Sequence, residues 1–108
     1  MFVHVVMFTW RSGTTDQEID DAAVALKRLC ESTSGLVEFE MGRDSGFTSG
    51  RFGAEMGLTS EKADFCVVMK FDSVESWHEY NADPEHRAVV RESVGKLLAR
   101  RISVQFKI

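Results

Sequence analysis

Phe2 to Trp10 reads FVHVVMFTW, a run of β-branched and aromatic residues that is apolar at both odd and even positions. A strand with one wet face alternates apolar and polar residues, whereas a strand apolar on both sides must be covered on both. The stretch therefore predicts a central strand and requires a layer on each of its faces.

Working outward, Arg11 to Thr14 (RSGT) reads as a turn, and Thr15-Asp16-Gln17-Glu18 has the Thr-x-x-Glu form of a capping box, so a helix is expected to begin there. Ile19, Ala22, Ala23, Leu26, Leu29 and Cys30 recur on one face of that helix, and Gly35 is expected to end it. Leu36 to Asp44 (LVEFEMGRD) alternates, with Val37, Phe39 and Met41 on one side and Glu38 and Glu40 on the other, as in an edge strand. Four glycines break every period between Ser45 and Lys62, which reads as a long loop with room for one helical turn.

Ala63 to Phe71 (ADFCVVMKF) returns to strand character, and Ser73 can cap a short helix carrying Val74, Trp77 and Tyr80. Asp83-Pro84 starts another helix, with aspartate at the cap and proline at the first helical position. Its apolar stripe of Val90, Val94, Leu97 and Leu98 is expected to run to about Ala99. Arg101 to Ile108 (RISVQFKI) alternates strictly, with Ile102, Val104, Phe106 and Ile108 on its buried side.

The order β-α-β-loop-β-α-α-β is the split βαβ pattern of an α+β, ferredoxin-like sandwich: an antiparallel four-stranded sheet with helices on one face. One domain spans residues 1–108. Val3, Val5, Met7, Cys66 and Val68 then face away from the helices, too much apolar surface to leave in water, and a homodimer packed sheet against sheet covers it.

Charge and composition exclude several roles. A net charge of -4 and a pI near 5.3 argue against nucleic acid, whose binding rests on neutralising phosphates. No window approaches the roughly 20 apolar residues of a membrane span, and the N-terminal run lacks the features of a signal peptide, so a cytoplasmic protein is expected. Cys30 and Cys66 read as buried thiols rather than a disulfide. His4, His86 and Cys66 have no metal-ligand spacing, and neither metal nor cofactor is expected. The glycines of GFTSGRFG do not form a phosphate loop; a lid over a pocket is the expectation.

VHVVMFTW, the helix after TTDQEID, the strand ending MGRD, FCVVMKFDSVESWHEY, the DPEH turn and ISVQFKI together resemble the Dabb family of stress-responsive dimeric α/β-barrel domains, over nearly the whole chain. The resemblance implies a ferredoxin-like protomer and a dimer whose sheets form the barrel. Some plant members are polyketide cyclases with a helix-start histidine as base and a nearby tyrosine; His86 and Tyr80 match these, and His4 matches a pocket histidine of the first strand. The chain departs from the cyclases in carrying Phe65 where they have another pocket histidine, and in a longer 45–62 loop.

His86 also sits in the first turn of its helix, where the dipole disfavours imidazolium while the cap carboxylate of Asp83 favours it. A neutral ring there could act as general base, with Tyr80 polarising a carbonyl. The structural alternative has Tyr80 packed on Trp77 and capping a backbone group, His86 bonded within its own turn, and His4 as a core histidine. His78 reads as exposed and without a role. Strand alternation nominates Val6, Phe8, Phe39, Val67 and Ile102 as pocket walls, and helix phase adds Val90 and Leu97. Three functions follow: an apolar-ligand binder or cofactor-independent acid/base enzyme, a non-catalytic dimeric stress or accessory protein, and a cofactor-free monooxygenase or haem-binding relative.

Overall fold

Strand β1 (Phe2–Trp10) lies inside the sheet, paired with β3 (Phe65–Phe71) on one side and β4 (Leu98–Lys107) on the other, while β2 (Leu36–Arg43) closes the far edge beside β3. All three pairings are antiparallel. The helices are α1 (Asp16–Glu31), α2 (Gly50–Glu55), α3 (Val74–Ala82) and α4 (Pro84–Ser93). The computed structural model describes residues 1–47, 50–59 and 61–108. Thr48, Ser49 and Ser60, inside the stretch read as a loop, lie outside the described residues.

The predicted caps form. Thr15 Oγ1 accepts from the Glu18 amide at 3.1 Å and Glu18 Oε1 accepts from the Thr15 amide at 3.0 Å, which starts α1. Ile19, Ala22, Leu26 and Cys30 then meet the even-numbered face of β1, Phe2, Val6 and Phe8, and the β3 face of Phe65, Val67, Met69 and Phe71. Phe71 and Val94 have no exposed surface, and burying such a side chain contributes about 1.5 to 3 kcal/mol.

Four expectations are corrected. Helix α1 ends at Glu31 with Ser32 as its cap, and Gly35, at φ +81°, makes the turn into β2 rather than ending the helix. In β2, both Leu36 and Val37 stand opposite Phe71, a bulge that turns Val37 outward to 60% exposure. Helix α4 stops at Ser93, a single 3-10 turn holds Gly95–Leu97, and Leu98 already belongs to β4.

The fourth correction concerns β4. Its strict alternation stands, but register sets the side: Phe106 pairs with Val3, Val104 with Val5 and Ile102 with Met7. These residues join Cys66 and Val68 on the face away from the helices, so Ile102 is not a pocket wall. Their alternates Arg101, Ser103 and Gln105 stand opposite Phe8, Val6 and His4 on the helix side.

The protomer is a slab of 43 × 34 × 18 Å with a radius of gyration of 15.1 Å, against about 13 Å for a compact domain of this length. Its outer sheet face leaves Ile102, Val104 and Phe106 of β4 between 41% and 55% exposed, and with Val5 and Met7 of β1 and Val68 of β3 beside them the apolar face spans three neighbouring strands. No helix among the described residues is long and apolar enough to cross a membrane.

Candidate functional site

Asp83 ends α3 and caps α4. Its Oδ1 accepts from the Glu85 amide at 2.9 Å, and Pro84 follows at the first helical position. Proline disfavours helical backbone in the residue before it, and Asp83 is extended at φ -67°, ψ 119°. The chain therefore turns between the two helices and sets the last turn of α3 beside the first turn of α4. Tyr80 and His86 meet there, ring centroids 5.1 Å apart, and Arg87 Nε donates to the Asn81 carbonyl at 2.9 Å across the same corner.

Opposite them, alternation along β1 turns His4 to the helix side, 5.9 Å from the Trp77 ring. His4, Tyr80 and His86 border one open cavity of about 390 Å³. Asn81, Arg87, Val90, Arg91 and Arg101 complete its lining.

The three groups differ in state. His4 is buried, and its Nδ1 lies 2.9 Å from Gln105 Nε2; an amide nitrogen only donates, so Nδ1 accepts and the ring proton sits on Nε2. Burial, and then the Arg101 charge, hold this histidine down at about 4, so it is neutral at pH 7. Burial pushes the Tyr80 phenol up to about 12, the Cys30 side raising it further while Arg101 opposes. Tyr80 thus keeps its proton and can donate it in a hydrogen bond. Its hydroxyl has no protein partner among the described residues.

His86 Nε2 stands 3.6 Å from Asp83 Oδ2, and its Nδ1 is buried with no hydrogen-bond partner. Tyr80 packs on Phe71, at 5.5 Å, rather than on Trp77, whose ring lies against Phe2 and His4. The Tyr80 backbone cap of the structural alternative is absent among the described residues, and the contact His86 makes within its own turn is with the Asp83 carboxylate rather than a backbone carbonyl.

Of the expected walls, Val90 borders the cavity. Val6, Phe8, Phe65, Val67 and Leu97 are closed into the core, Phe39 packs half-buried against it, and Ile102 faces away. The described residues of the 45–62 stretch do not border the cavity either. Phe47, Gly50, Glu61 and Lys62 line a separate depression with Met7 and Cys66, so among the described residues no part of the expected lid covers this site.

Arg101 is the residue that sequence reasoning passed over. The signal was present: the apolar alternates of β4 fix an opposite row of Arg101, Ser103 and Gln105, which faces the helices once the apolar row faces out. Arg87 and Arg91 follow from helical spacing around Val90. Cys30 and Cys66 are free thiols. Among the described residues, no three His, Cys, Asp or Glu side chains are grouped to hold a metal ion.

A four-stranded antiparallel sheet with its helices on one face, and a cavity between sheet and helix corner, define a ferredoxin-like α+β protein. The chain belongs to the Dabb family, the stress responsive A/B barrel domain, whose model matches residues 2–108. A dimeric ferredoxin-like protein of unknown function from Thermobifida fusca is similar at 26% identity, with 99% of this chain and 90% of that one covered and a TM-score of 0.79. A hydroxynitrile lyase from Passiflora edulis is 15% identical over 99% of this chain and 92% of its own, TM-score 0.78. SnoaB, a cofactor-independent oxygenase from Streptomyces nogalater, is 10% identical over 99% and 91%, TM-score 0.70. Comparison with curated proteins finds no match.

Proposed function

We propose that this chain is a cytoplasmic homodimer, paired through its outer sheet face, whose cavity binds a small molecule and runs proton transfer on it without a cofactor. His86 takes a proton from an acidic carbon or hydroxyl of the ligand, and Tyr80 donates a hydrogen bond to the carbonyl on which charge develops. The observation that carries this reading is the convergence of His4, Tyr80 and His86, from three separate elements, on one cavity.

Three features support it. A volume of about 390 Å³ suits a small ligand. Asp83, 3.6 Å from His86 Nε2, is placed to stabilise the imidazolium that proton uptake creates. The Tyr80 hydroxyl remains protonated and uncommitted, as a donor to a developing oxyanion must be. A hydroxynitrile lyase and a cofactor-independent oxygenase sharing the fold favour an enzyme over an inert accessory protein. For the dimer, the support is the exposed apolar row of Val68, Ile102, Val104 and Phe106, together with relatives described as dimeric.

The test uses an aryl methyl ketone in D2O, with exchange of its α-protons followed by NMR. The wild type should accelerate exchange, His86→Ala should remove about 10²-fold or more of that acceleration, and Tyr80→Phe should lower it by a similar factor. An exchange rate equal to buffer, or one unchanged in both variants, refutes the reading.

A further inference from the structure

The cavity is electrostatically one-sided. Arg87, Arg91 and Arg101 border it and no aspartate or glutamate does, in a chain whose net charge is -4. The acid beside the site, Asp83, accepts from the Glu85 amide through Oδ1 and has Oδ2 3.6 Å from His86 Nε2.

Elsewhere three arginines are paired with carboxylates, while Arg11 donates to the Leu98 carbonyl and Arg28 has no carboxylate partner among the described residues. Arg43 pairs with Asp16 and Asp20, Arg51 with Glu55 and Arg100 with Glu61. Arg91 and Arg101 have no carboxylate partner among the described residues. Arg101 reaches only the Ser103 hydroxyl, at 3.5 Å, and its charge is felt by both His4 and Tyr80. A guanidinium left unpaired beside a partly apolar cavity presents its fork of N–H donors to whatever enters, and that fork matches a carboxylate or phosphate. The rest of the lining includes two neighbouring rings, Tyr80 and His86, with centroids 5.1 Å apart, and the apolar Val90, groups that suit a flat body.

We propose that the cavity takes a planar organic anion, its carboxylate or phosphate held by Arg101 and Arg91 and its flat body lying along Tyr80, His86 and Val90. This names the ligand class for the small-molecule reading and rests on it. Arg101 is then a specificity-determining residue: it selects charged ligands over neutral ones of the same shape.

The experiment titrates benzoate, phenyl phosphate, benzamide and inorganic phosphate into the full chain, reading affinity by calorimetry and location by NMR shifts of His4, Tyr80 and His86. Benzoate or phenyl phosphate should bind and shift those three signals, with benzamide about tenfold weaker or more. Which of the two anions binds more tightly identifies the charged group. Arg101→Gln should weaken the bound anion about tenfold while leaving benzamide unchanged, and Arg101→Lys should fall between. Arg100→Gln, one residue away on the outer face and paired with Glu61, should change nothing.

Benzamide binding as tightly as benzoate at the same signals overturns the anion inference and leaves the small-molecule site standing. Inorganic phosphate binding as tightly as phenyl phosphate overturns the planar body. Probes that shift none of the three signals overturn both the inference and the site.

Discussion

Replacing His4 with glutamine should remove a specific part of the protein's acid sensitivity. His4 has an ordinary value of 6.5 and is held at about 4 in the folded protein by burial and by Arg101. Between those values the unfolded chain takes up a proton that the folded chain refuses, so stability falls as the pH drops through that window. For one such group the loss between pH 7 and pH 5 is about 2 kcal/mol, and water in the open cavity screens it to about 1 to 2 kcal/mol. Glutamine keeps a polar group beside Gln105 but does not titrate. Urea unfolding of both proteins at pH 7 and pH 5, at one fixed protein concentration, should show the wild type losing that much more than His4→Gln. Glu18, Asp44 and Asp72, whose carboxyls are held low by hydrogen bonds and, for Asp44, by Lys62 as well, lose their contributions at lower pH in both proteins and cancel in the comparison. Equal losses in the two proteins, or a His4 ring titrating near 6.5 by NMR, would refute the reasoning.

Val104→Asp places a charge in the middle of the outer sheet face and should convert dimer to monomer in analytical ultracentrifugation, with the helical signal in circular dichroism retained. Gly35→Ala forces a side chain into a positive-φ turn where the Ser76 side chain leaves no room, and should cost about 2 kcal/mol or more in urea unfolding. Thr15→Ala removes one half of the α1 capping box and should cost about 1 kcal/mol in the same assay, with the cavity unaffected.

Much of this architecture was written locally. β1 announced its two covered faces because no polar alternation interrupts FVHVVMFTW, and the Thr15, Ser73 and Asp83 caps announced three helix starts because capping is chemistry within a few residues. The turn that brings Tyr80 to His86 was legible for the same reason, through Pro84. What was not legible depends on partners distant in sequence. Alternation gives β4 a period of two but not a side, so Ile102 and Arg101 exchanged places. The β2 bulge at Val37 exists only relative to Phe71 across the ladder. The expected apolar walls failed for a related reason: a residue pointing between sheet and helices fills core unless its opposite neighbour stands back. Of the expected apolar walls only Val90 borders the cavity, and most of the residues around it carry polar side chains.

Both outer strands of the sheet carry an extra residue, Val37 in β2 and Ala99 in β4, where the register shifts. An open sheet is a template for further strands at each rim, and a bulge that breaks the ladder is a common way to spoil it. Glu38 and Glu40 on one rim and Arg100, Arg101 and Lys107 on the other add charge where an incoming strand would have to lie. Growth by strand addition, the route to open-ended fibres, is thereby discouraged at both rims. In the proposed dimer the apolar outer face is shielded by one copy without offering a place for a third.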